Sequence, residues 1–348
     1  MEYGISESRP PIFIVGNSRS GTTMLMRMFN RHPEVQAINE SHFFEKYWNP
    51  ADGDKKLELE PAAALLQKLI TRQRDGFFAK SNKNYYNECL HLVGSNDPAG
   101  LSKIDVFRLF MCHEKAKSKK SVICEKTPQH IFYISEILRL FPTARIINMV
   151  RDPRAVLASQ KNKWRRRSLG SNFMPFREAL RLRINYHPIT MCQLWNASVS
   201  AIQSYNNHPQ VRSVRYEDLL NAPQEVVREI CRFTKLEFST DMLNIEVASS
   251  STKADRPSER GIHNRSVRDW EKHLTNNEIA IVQKWCRPLM AQWQYRAIDT
   301  NSSQYSYLLS LLSYPWKVGL ALLINLTRLQ NIGSAISRRL MAFKLQKA

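Results

Sequence analysis

Several familiar signals are missing from this sequence, and each absence narrows the reading. The six cysteines, at positions 89, 112, 124, 192, 231 and 286, form no Cys-x-x-Cys pair and no zinc-ligand spacing. Scattered free thiols in a reducing compartment are the expectation, although an even count leaves bridges open. Acidic residues are short throughout: 31 against 51 lysines and arginines, a net charge of +20, and none at all beyond Asp299. Such an excess implies polyanionic company, whether a multiply charged nucleotide, an anionic membrane or an acidic acceptor. No zinc finger, RNP motif or basic zipper is present, so nucleic acid is the least supported partner. Internal repeats and low-complexity tracts are absent too. The opening residues Met1-Glu2-Tyr3-Gly4 carry no apolar run, and a cytoplasmic chain without secretory signal or N-terminal anchor is expected.

What is present is organised around Val15-Gly16-Asn17-Ser18-Arg19-Ser20-Gly21-Thr22-Thr23-Met24. Residues 12–15, β-branched and aromatic and preceded by Pro10-Pro11, predict a buried parallel strand. Residues 24–29 predict an apolar helix that ends before His32-Pro33. A glycine-bearing turn between strand and helix points backbone N–H groups into one hollow, where the helix dipole favours an anion. The spacing from Gly16 to Gly21 matches a phosphate-binding loop, but Thr22 stands where a nucleoside triphosphatase needs lysine. Positive charge comes instead from Arg19, inside the loop. Taken alone, the motif also reads as a Ser/Gly turn without a ligand.

The strand-turn-helix pattern then repeats. Residues 35–38 predict a second strand leading to Glu40 and His42, which would share one side of an extended segment, or else form an ordinary solvated loop. Residues 121–124 predict a third, delivering Glu125-Lys126-Thr127-Pro128, with a helix from Gln129 to Leu140 opened by the proline. Residues 145–150, almost wholly apolar, predict a central fourth strand ending in Arg151-Asp152-Pro153-Arg154-Ala155-Val156-Leu157-Ala158-Ser159. Residues 211–216 give a fifth. Residues 50–121 read as a helical insertion on the acceptor side, and 249–268 as a long polar loop holding Arg256, Arg260, Arg265 and Arg268. Thr275 and Glu278 predict a capping box. The main domain is expected to span 1–300.

The loop and the later Arg151–Ser159 pair resemble sulfotransferases that use 3′-phosphoadenosine-5′-phosphosulfate (PAPS), most closely bacterial and tyrosylprotein sulfotransferases in motif pattern. In that resemblance Arg19, Ser20, Gly21, Thr22 and Thr23 form the 5′-phosphosulfate loop, while Arg151 and Ser159 meet the ribose 3′-phosphate. It covers residues 11–48, 121–165 and 211–295. It implies a P-loop-containing sulfotransferase fold, α/β with a central parallel sheet flanked by helices. It also implies PAPS as donor without a metal, Glu40 as catalytic base and Lys126 assisting at the donor. Lys163 would fall near the 3′-phosphate and Tyr216 near the nucleotide; Arg260 or Arg265 would close over it, and Trp270 would be structural. His42 is the second candidate base, since cytosolic members use histidine. It replaces an arginine that tyrosylprotein enzymes use near the acceptor, so tyrosine specificity does not carry over.

The acceptor is then a hydroxyl-bearing molecule of open class, with a glycan or lipid-linked acceptor weakly favoured by the basic, apolar segment beyond Asp299. In that segment, residues 307–326 are apolar on nearly every side, interrupted by Pro315 and Lys317. About twenty such residues suffice to span a bilayer, but the proline and lysine favour lying in the interface, peripheral on an anionic membrane surface. An apolar helix packed on the domain is the plain alternative. Two other function classes compete: a P-loop kinase or NTPase, and a non-catalytic basic protein of membrane surfaces.

Overall fold

The computed structural model describes residues 9–76, 84–168, 174–247, 256–262 and 269–325. Its spine is a five-stranded sheet of β1 (Ile12–Gly16), β2 (Val35–Ile38), β3 (Val122–Lys126), β4 (Arg145–Val150) and β5 (Val211–Arg215). The order across the sheet is β2-β3-β1-β4-β5, and every pairing is parallel. Parallel neighbours need crossover connections, which cover both faces with helices and bury the strands between them. In β1 the alternation of side chains serves two cores. Phe13 and Val15 join Phe43 and Phe107 on one face, while Ile12 and Ile14 join Leu25 and Met28 on the other. The expected fold class is the observed one.

Four local expectations need revision. Pairing of Ile14 with Lys126 extends β3 through Glu125 and Lys126, which therefore lie within the strand and not after it. The helix expected from Gln129 to Leu140 is a 3₁₀ turn, Pro128–Tyr133, followed by the α-helix Ile134–Leu140. Its tight first part carries a buried histidine, His130, back to Glu125. Residues 50–121 do form helices, Leu59–Asp75, Asn84–Asn96 and Lys103–Lys117, but Leu66, Phe107 and Phe110 share the core of Phe13. Part of the expected loop, Arg256–Arg260, pairs antiparallel with Glu246–Val247. So short a partner strand leaves no periodicity for a sequence reading to catch.

The Thr275–Glu278 capping box is present, with both reciprocal bonds made. All six cysteines are buried and unbridged. The helix Gln304–Asn325 closes the described chain without burying any of its residues.

Candidate active site

Parallel strands deliver all their carboxyl ends to one edge of the sheet. Connections leave β1 toward β2 on one side and reach β4 on the other, so the strand order reverses at β1 and opens a crevice there. The loop 17–21 fills that position and feeds the helix Thr22–Asn30. Gly21 caps this helix at φ 93°, and a Cβ there would sit 2.3 Å from the Tyr216 ring. Both the left-handed backbone and the close approach therefore demand glycine. Arg19 also takes a left-handed conformation, φ 76°, which a side chain tolerates only at a cost of roughly 1–3 kcal/mol.

That conformation ties the two motifs together. Arg19 Nε donates to Ser159 Oγ at 2.9 Å, and Arg151 Nη1 donates to the Arg19 carbonyl at 3.1 Å. The Arg151 guanidinium lies 4.3 Å from the centre of the Tyr216 ring. Loop, Arg151, Ser159 and Tyr216 thus meet as expected, although they come from the ends of three different strands. The Arg19 side chain reaches toward Ser159, however, and links the two motifs. Two donors stand out at this edge: Ser20 Oγ and Arg151 Nε are buried and have no hydrogen-bond partner among the described residues. Buried donors left unmet cost about 1–3 kcal/mol each, so both are available to a bound anion or to water. Lys163 is half-buried in the 3₁₀ turn Lys163–Ser168, just past the helix of Ser159. Arg260 is exposed at the end of its strand, and Arg265 lies outside the described residues. Trp270 is buried beneath Arg154, 4.4 Å from its guanidinium, consistent with a structural role.

Beside the loop, Lys126 Nζ lies 2.7 Å from Glu40 Oε1 and 3.4 Å from Thr23 Oγ1. Glu40 and His42 do share a side, but not on extended backbone: His42 turns left-handed at φ 52°, which brings its Nε2 within 3.2 Å of Glu40 Oε2. The array continues inward. His42 Nδ1 is 3.0 Å from Glu45 Oε1, and His130 Nδ1 is 3.0 Å from Glu125 Oε2. Glu45 Oε2 and His130 Nε2 stand 3.2 Å apart, an ion-pair contact off hydrogen-bond alignment. Six side chains therefore alternate in sign from Lys126 through Glu40, His42, Glu45 and His130 to Glu125. Ser41 Oγ and Thr127 Oγ1 donate to Glu125 Oε1 at 2.7 and 2.5 Å, and Phe44 closes edge-on over His130 at 5.0 Å.

The electrostatics rest on this alternation. Burial opposes ionisation of Glu40, yet Lys126 and His42 hold its carboxyl well below the usual range. Its side chain is 37% exposed, the most open of the array, whose other members are 17% exposed or less. Burial likewise opposes charge on His42 and His130, but flanking carboxylates raise both, His130 to about 9. Glu45 and Glu125 are lowered by their histidines against the same penalty. Each imidazole has a carboxylate at both nitrogens, and only the protonated ring can donate to both. Among the described residues no cluster of histidine, cysteine or acidic side chains is placed to hold a metal ion.

Glu45, Glu125 and His130 escaped the sequence reading as site residues. One signal was available, a glutamate in an otherwise apolar strand, Val122-Ile123-Cys124-Glu125. The contact with His130 across a 3₁₀ turn has no motif to announce it.

A family model described as "Sulfotransferase family" matches residues 10–240. The chain is 24% identical over 253 residues to the protein-tyrosine sulfotransferase of Drosophila melanogaster, covering 70% of this chain and 42% of that protein. It is 24% identical over 289 residues to the nodulation protein NoeE of Sinorhizobium fredii, covering 78% and 62% respectively. The chain thus spans less than two thirds of the length of these relatives. The solved sulfotransferase domain from the curacin biosynthetic pathway aligns with a TM-score of 0.52 at 18% identity, covering 83% of this chain and 99% of that one. That likeness is one of fold.

Proposed function

The chain belongs to the sulfotransferase family, and on that premise we propose that it moves a sulfuryl group from PAPS to an acceptor hydroxyl with Glu40 as general base. The observation that carries the donor is the pair of orphaned buried donors, Ser20 Oγ in the loop and Arg151 Nε beyond it. They would serve two separate anion positions on one edge, which suits a nucleotide charged at its 5′ and 3′ ends. Arg151 would supply a planar fork to the 3′-phosphate, with Ser159 beside it. Tyr216, already stacked on Arg151, would flank the nucleotide.

In the transfer, the acceptor oxygen forms its bond to sulfur while its proton passes to a Glu40 carboxylate oxygen. The sulfur–oxygen bond to the 5′-phosphate breaks, and the phosphate keeps the electron pair. Arg19, Lys126 and the loop N–H groups would offset that charge where it develops. Lys126 stands between Glu40 and Thr23 of the loop, within reach of both. Drawing it toward the donor would release Glu40 from its strongest acidifying partner and raise its basicity at the moment of reaction. His42 is the poorer candidate for the base, because an imidazolium held between two carboxylates has no free lone pair. It serves better as the group that aims Glu40.

The acceptor reading is a hydroxyl on a glycan or lipid-linked molecule, supported by the basic, apolar C-terminal segment. The kinase alternative is opposed by Thr22 in the lysine position, and a non-catalytic membrane protein would leave both anion positions unexplained. The test is transfer of labelled sulfate from PAPS to pools of lipid, glycan and phenol acceptors, with ATP as control. Release of labelled product with none of the pools, together with ATP turnover, would overturn the proposal.

A further inference from the structure

We infer that the C-terminal helix, the helix Phe176–Ile184 and the turn Lys163–Ser168 form one face that seats the protein on an anionic lipid surface without crossing it. This inference goes beyond sulfuryl transfer and uses none of its residues apart from Lys163, which lies at the border.

The helix Gln304–Asn325 has a mean hydropathy of 1.4 over its most apolar window, and no residue of it is buried. A helix on a soluble domain turns its apolar stripe to the core and its polar side to water. Here several polar groups bond inward to the domain, while Ser313 and Lys317 stay exposed. Asn277 Nδ2 donates to Ser310 Oγ at 2.9 Å, Tyr314 Oη donates to Gln193 Oε1 at 2.7 Å, and Arg181 Nη1 donates to Asn325 Oδ1 at 2.8 Å. Tyr307 and Leu311 add modest packing on the same side. Facing away are Leu312, Trp316 and Leu323, exposed to 70, 84 and 65%. An apolar strip of this kind marks an interaction surface.

The same bonds argue against a span. They hold the helix from Ser310 to its last described residue, so one long side stays against the domain. A bilayer core would then have to admit Arg181 and the polar seam.

Charge identifies the occupant. The helix Phe176–Ile184 packs alongside, adding Phe176 and Leu180, exposed to 66 and 43%. The turn Lys163–Ser168 packs against it in turn, and Arg165 and Arg183 both lie over the Trp164 ring. Between Lys161 and His187 the only acid is Glu178, and it is bound to Arg181. An apolar strip beside a basic belt complements the headgroups and upper acyl region of an anionic leaflet. A symmetric pairing of two copies would bring basic belts near each other, which charge opposes.

The test uses the full chain with phosphatidylcholine vesicles, with and without phosphatidylserine. Wild type should sediment with the mixed vesicles and largely stay in solution with the neutral ones. Leu312→Asp with Trp316→Asp should abolish partitioning, and Arg165→Glu with Arg183→Glu should weaken it at least about fivefold per site at low salt. All variants should bind 3′-phosphoadenosine-5′-phosphate like wild type, which separates this inference from the transfer reading. Unchanged sedimentation of the aspartate variant would overturn it. So would a wild-type dimer that ignores vesicles and is dissociated by the same substitutions, or resistance of the vesicle-bound chain to alkaline carbonate extraction.

Discussion

At the carboxyl edge of the sheet, charged groups point inward; along the C-terminal helix, apolar groups point outward. Both invert the usual segregation, and they differ in where compensation comes from. Glu125 and His130 are all but fully buried, yet each opposite charge is supplied by a neighbour in the chain. A lone buried ion would cost several kcal/mol, so the alternation of six groups makes the array possible. The exposed leucines of Gln304–Asn325 have no such partner within the described chain. Internal compensation makes a rigid site, whereas external compensation makes a docking face.

If that contrast holds, perturbing the edge should be severe and perturbing the helix mild. The largest effect expected is on turnover. Glu40→Gln removes the proposed base at the most open member of the array and should lower kcat about 10²–10⁴-fold, with nucleotide affinity nearly unchanged. Equal turnover of the variant would move the base elsewhere, and a greater loss in His42→Asn would reverse the two roles.

Next comes stability. Glu125→Gln leaves His130 with Glu45 as its one remaining carboxylate and should cost about 1.5–3 kcal/mol in urea denaturation. A loss below about 1 kcal/mol would mean that the array is less tightly coupled than its distances suggest.

A pH dependence of similar origin is expected from His130. Its pKa is raised in the folded protein to about 9, against 6.5 for the ordinary side chain. The stabilisation is therefore complete below about pH 6.5 and is lost as pH rises through about 9. Its upper limit is on the order of 3 kcal/mol, read as a falling Tm across that window. In Glu125→Gln the fall should be shallower; an unchanged profile would assign the titration to another group.

The smallest effect is expected on the helix. Trp316→Ser, at an outward position, should change unfolding free energy by no more than about 0.5 kcal/mol. A loss of several kcal/mol would show that the helix belongs to the core.

The sheet and the two strand-to-helix turns at its edge were legible because they depend on local signals: apolar runs, a glycine at a forced left-handed turn, and prolines opening helices. Tyr216 and Ser159 are placed only by the resemblance to the sulfotransferases. The charged array was not legible, since its members approach through a left-handed turn at His42 and a 3₁₀ turn at His130, and neither leaves a pattern in sequence. Glu40 and His42 were paired for an incomplete reason, alternation on extended backbone, when the contact depends on a turn. The apolar character of residues 307–326 was evident, but which side faced the domain was not. Its serines and its leucines recur at similar spacings, so hydropathy alone could not choose.

The claim on which the rest depends is that two anion positions bind one nucleotide. Titration calorimetry of 3′-phosphoadenosine-5′-phosphate against AMP tests it most directly, in wild type and in Arg151→Ala. The 3′-phosphorylated nucleotide should bind more tightly to wild type, and Arg151→Ala should erase about 1.5–3 kcal/mol of that preference while leaving AMP binding little changed. Equal affinity of wild type for the two nucleotides would contradict it.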